Sequence, residues 1–143
     1  MSEELIITRP QTATGWRRNV LWGVKIMVAL AFLAAGGAKL AGVQAMIDLF
    51  NVIGLGQGFR FVTGAVEVTG AILMLIPALA AFGALLLACT MVGAVITHLT
   101  VLPASPIPAL ILLAVSAGIA WAHRDQVSKL LSQGDAGRNQ QSR

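Results

Sequence analysis

Residues 61–122 read FVTGAVEVTGAILMLIPALAAFGALLLACTMVGAVITHLTVLPASPIPALILLAVSAGIAWA, and Glu67 is the only formally charged side chain among them. A stretch this long and this poor in charge is built for hydrocarbon as its solvent. A membrane-spanning helix needs about 20 apolar residues, and proline punctuates this stretch into three such runs. Phe61 to Ile76 ends at Pro77, Ala78 to Leu102 ends at Pro103, and Ile107 to Ala122 carries Pro106 and Pro108 at its first turn, where proline is tolerated. Upstream, Val20 to Ala41 supplies a further apolar run. The predicted fold is therefore all-α, an integral membrane four-helix bundle.

The whole chain agrees with this. Of its 143 residues, 57% are hydrophobic and 11% charged, against about 25% charged in a typical soluble protein. The net charge of +4 and pI of about 10.3 do not form a basic stripe. Arg9, Arg17 and Arg18 precede the first run, and Arg124, Lys129, Arg138 and Arg143 follow the last. That is flank charge, so no nucleic-acid partner is expected. Positive flanks tend to stay cytoplasmic. Four spans put both arginine-rich tails inside, with Trp16, Trp22 and Trp121 at the inner boundary. The first run is longer than the 7–15 apolar residues of a signal peptide, so it reads as a span. Residues 1–15 and 132–143 read as polar tails around a membrane domain at 16–131.

Between the first two spans, Val43, Met46, Ile47, Phe50 and Ile53 recur at helical spacing, with Gln44, Asp48 and Asn51 opposite. This predicts a short amphipathic helix in the outer interface. Gly54, Gly56 and Gly58 then read as a hinge. Their spacing is that of a dinucleotide loop, but no strand precedes them.

An ionisable group inside a bilayer is costly, so it marks a functional site by default. With four spans, Lys39 near the outer end of the first, Glu67 about 9 Å below the outer boundary, and His98 near the end of the third converge on the outer leaflet. Arg60 and Asp48 belong to the same side. Arg60, Thr63, Glu67 and Gly70 fall on one helical stripe. Lys25, Phe32 and Lys39 share a face, as do Thr90, Ala94 and His98. The candidate site is a Glu67–Lys39 pair, with Thr63 and His98 as hydrogen-bonding neighbours and Arg60 nearby. It either forms a ligand pocket or only fixes helix register. A quinone could dock there, taking hydrogen bonds from His98 and Lys39 to its carbonyls; no other cofactor is expected. Lys25 is placed to snorkel to the inner boundary. Cys89, the lone cysteine, reads as a small buried hydrophobe. No metal-ligand spacing and no catalytic motif is present, which leans against an enzyme.

The same residues carry a resemblance. Phe32-Leu33-Ala34-Ala35-Gly36-Gly37-Ala38-Lys39-Leu40 resembles the glycine-then-lysine ending of the first helix in the DoxX-like membrane proteins. Gly64-Ala65-Val66-Glu67-Val68-Thr69-Gly70 resembles their glycine–glutamate–glycine motif, and Ile96-Thr97-His98-Leu99 the end of their third helix. The resemblance covers Asn19 to His123. It implies a small multi-pass protein of the bacterial inner membrane, with Lys39, Glu67 and His98 as its functional positions. The family name derives from a subunit associated with a terminal quinol oxidase. Some members are linked to oxidative-stress or thiol-redox assemblies, and most have no assigned activity. The resemblance thus implies an accessory subunit of a larger membrane oxidoreductase complex, or a quinone-handling one. A small proton-coupled transporter, which would need a homo-oligomer, is a further alternative. One cysteine is too few for a direct thiol role.

Overall fold

The computed structural model describes residues 12–126, with side chains from residue 15 onward. The expected tail beyond residue 131 and most of the expected N-terminal tail lie outside them. The described residues form five helices and no strand: α1 (Thr12–Ala41), α2 (Gln44–Ile53), α3 (Gly56–Leu75), α4 (Ala80–Thr100) and α5 (Ile107–Ala122). Of these, α1, α3 and α4 are long and apolar enough to cross a membrane; α5 is apolar but shorter, at 16 residues.

Helix ends follow from local chemistry. Gly42 adopts φ +69°, and its N–H reaches Lys39 O while the Val43 N–H reaches Ala38 O. These two bonds form the Schellman closure that stops α1. Gly54, at φ +79°, ends α2 in the same left-handed conformation. α3 stops at Leu75 because Ile76, ahead of Pro77, turns extended (ψ 118°).

Two boundaries differ from the sequence expectation. α1 is already helical at Thr12, the first described residue, inside the segment read as a polar tail. α3 begins at Gly56, five residues before Phe61. The expected three-glycine hinge is therefore shorter, with Gly58 already in the first turn of α3. Polar anchors explain the extra turn: the Gln57 side chain donates to Ile47 O (3.1 Å) and Asn51 Oδ1 (2.8 Å), tying the start of α3 to α2.

Packing runs α1 on α3, α3 on α4 and α4 on α5, with α5 touching α1 to close the ring and α2 lying mainly on α3. Small residues set the closest approaches. Gly36 of α1 faces Gly64 of α3, where a Cβ on either would come within about 3 Å of the other's carbonyl oxygen. Between α3 and α4, a Cβ on Gly83 would meet Gly70 O at 2.6 Å, and one on Gly70 would meet the Leu87 side chain at 2.8 Å. The core holds Val28, Phe32, Ala71, Met74, Leu87, Met91 and Ile119. Met27, Leu30, Phe61 and Ile111 point outward and are exposed, the inverse of a soluble surface.

At one end of the ring, Gln126 Nε2 donates to Pro77 O (2.6 Å), and Gln126 Oε1 accepts from the Ala81 N–H (3.2 Å). This one side chain pins the end of α5 to the α3–α4 turn. Lys25 turns back towards the N-terminal end of α1. It is 3% exposed, with Nζ 4.1 Å from the Trp22 ring centroid, so its ammonium lies on an aromatic face.

Candidate functional site

The Gly36–Gly64 crossing brings the last turn of α1 against the middle of α3. One turn beyond it, Lys39 Nζ lies 2.7 Å from Glu67 Oε2, with side chains 13% and 4% exposed. A weaker contact runs from Lys39 Nζ to Ala35 O at 3.5 Å. The two residues that sequence spacing could only align within their own helices are thus in direct contact across 28 positions of chain.

The other expected partners divide. Thr63 Oγ1 donates to Phe59 O and Arg60 O, 3.0 Å each, and does not bond the pair. A threonine hydroxyl within a helix finds its own preceding turn first. His98 sits at the end of α4 with Nδ1 3.2 Å from Ala104 O. Its ring reaches the α4–α5 link, not Glu67 or Lys39. That bond turns Nδ1 towards the link. Asp48 is exposed on α2 and accepts from Gln44. It bonds neither member of the pair and does not line the cavity described below.

Arg60 has a different job. Its guanidinium donates to Lys39 O, its Nε donates to Gln57 Oε1 at 2.7 Å, and the group stacks 4.2 Å from the Phe61 ring centroid. The positive fork caps the carbonyl end of α1, where the helix dipole is negative. It does not line the cavity described next. Arg60→Met should therefore cost about 1.5–3 kcal/mol of stability, the worth of a charged hydrogen bond. Arg60→Lys should recover little, because an ammonium cannot fork to both acceptors. Thermal unfolding in mild detergent measures both. Unchanged stability in Arg60→Met would remove this capping role.

Beside the pair is a half-open cavity of about 630 Å³, walled by all five helices. Its size lies in the range of small-molecule sites. Phe32, Phe50, Val66, Met91 and Leu112 make most of the wall apolar; Lys39, Glu67, Thr63, Thr90, Thr97 and His98 supply the polar points. Cys89 is exposed on this wall, not buried as its apolar run suggested. Sequence spacing missed α2 as a wall. Its apolar face, with Leu49, Phe50 and Ile53, closes the cavity, and Phe50 also packs on Phe59 of α3. The amphipathic pattern was visible, but its apolar side could as well have faced lipid. Among the described residues no three His, Cys, Asp or Glu side chains group as metal ligands would.

Comparison with known proteins agrees with the geometry. No curated protein matches the chain, and no solved structure does. The model of the DoxX-like family matches residues 23–122, which spans every residue of the site from Phe32 to Leu112, and the chain belongs to the DoxX-like family.

Proposed function

We propose that this protein binds a small lipophilic molecule in the 630 Å³ cavity, as a non-catalytic accessory subunit in a membrane. In this reading α1, α3, α4 and α5 are four spans of a bacterial inner-membrane bundle with both termini cytoplasmic. α2 lies in the outer interface and forms the cavity's outer wall. The arginines flanking the spans support that orientation.

One observation carries the proposal: an apolar chamber of ligand size has a Lys39–Glu67 contact in its wall. A charged pair held where hydrocarbon would otherwise pack is expensive. A bundle that needed only register could set it with the Gly36–Gly64 and Gly70–Gly83 crossings it already has. A polar anchor within an apolar pocket is the usual way to orient a small ligand. A carrier that cycles a proton on Glu67 would have to break the Lys39 contact at every turn, so static binding is the simpler use.

The test is to fill the chamber. Ala94 is a partly buried wall residue on α4. Ala94→Phe should leave the bundle folded and strip it of any lipophile that co-purifies with the wild-type protein in mild detergent, read by mass spectrometry. Val66→Trp on α3 is an independent filling. If both fillings retain the same lipophiles as wild type, the cavity is not a ligand site. The same preparation reports protein partners, and an accessory subunit should bring a larger membrane enzyme with it.

A further inference from the structure

The cavity wall has a biased supply of hydrogen-bonding groups. Three threonine hydroxyls line it, and each has given its proton to its own helix. Thr63 donates to Phe59 O and Arg60 O, Thr90 to Leu86 O at 2.9 Å, and Thr97 to Gly93 O at 2.8 Å. A hydroxyl has one proton and two lone pairs, so all three are left as acceptors. His98 Nδ1 faces the Ala104 carbonyl, which can only accept. Nδ1 therefore carries a proton, and that proton is spent on the α4–α5 link instead of being offered to the cavity. Glu67 Oε2 takes the lysine, while Oε1 has no hydrogen bond among the described residues. Against these acceptors stand the one N–H of Lys39 not directed at Glu67 or Ala35, and the weak S–H of Cys89.

The geometry points to an occupant that brings its own donors: an apolar molecule bearing an alcohol or phenol hydroxyl. A ligand with only carbonyl or ether oxygens meets a single strong donor, already held by Glu67. A hydroxyl meets acceptors on α3 and α4, and an unpaired oxygen of a carboxylate is the strongest of them. The inference rests on the cavity being a ligand site, and it names the chemistry of what that site takes.

Two probes of nearly equal shape test it: 4-nonylphenol and its methyl ether, 4-nonylanisole, which differ in one donor. Binding is measured to the full chain in lipid nanodiscs, with Ala94→Phe discs subtracted to remove partition into lipid. The phenol should bind at least about tenfold more tightly than the ether, the range expected for a hydrogen bond to a charged group. Glu67→Gln should shrink that ratio; Thr97→Val, which leaves the Lys39 contact intact, should also reduce it. An ether that binds as well as the phenol overturns the inference and leaves the cavity a ligand site. If neither probe shows binding above the Ala94→Phe discs, the ligand-site reading itself fails and takes the inference with it.

Discussion

Gly83→Ala is expected to destabilise the protein by about 3 kcal/mol or more, the upper end of what overpacking costs. A Cβ at Gly83 would lie 2.6 Å from Gly70 O and 2.8 Å from Leu73 C, and closer still to Met74 N. All three are backbone atoms of α3. A side chain could rotate away, but a helix backbone cannot, so α3 and α4 would have to separate. That separation would also pull Met74 and Leu87 apart, both of them fully buried. Controls come from the same protein. Gly93 of α4 and Gly118 of α5 have no atom near where a Cβ would stand. Gly93→Ala and Gly118→Ala should be neutral or stabilising by up to about 1 kcal/mol, since alanine is the better helix former. Thermal or detergent-induced unfolding of the three variants gives the comparison. If all three behave alike, Gly83 is not a point of close helix contact.

That contrast shows what spacing can and cannot carry. Hydrophobic runs and prolines marked the helices well: α5 begins and ends at Ile107 and Ala122 as its composition suggests. Charge in an apolar run pointed to Glu67, and topology brought Lys39 towards it. Contacts set by backbone proximity were not legible. Nothing in the sequence separates Gly83 from Gly93, though one touches α3 and the other faces a cavity. Arg60 shares the stripe of Glu67, yet the α1 carbonyl end claims it because that end stops beside it at Gly42. Thr63 was placed near the pair by its helical stripe and His98 by depth, but neither chooses a hydrogen-bond partner. A hydroxyl prefers the turn behind it, and a ring at a helix end meets the following loop. Gln57 and Gln126 were overlooked because a single glutamine has no periodicity. What distinguishes them is that each satisfies a carbonyl of a neighbouring segment.

Lys39→Met alone, or Glu67→Met alone, should cost about 3–5 kcal/mol, the penalty for leaving one buried member of a pair without its partner. The double substitution should cost far less, within about 1 kcal/mol of wild type, because replacing both members by apolar groups removes the penalty along with the contact. The coupling between the two sites is then the difference between the double cost and the sum of the singles. It should be large here, since the atoms are 2.7 Å apart and the Glu67 side chain is only 4% exposed. Unfolding of all four proteins in one detergent measures it, and additive costs would mean the two groups do not act as a pair. The double variant also separates structure from function. It keeps the Gly36–Gly64 crossing and the chamber but makes the polar corner of the wall apolar. If the pair exists only to fix register, a well-folded double variant should hold the same co-purifying lipophile as wild type. If the pair orients a ligand, the double variant should fold as well as wild type and come off the column without it.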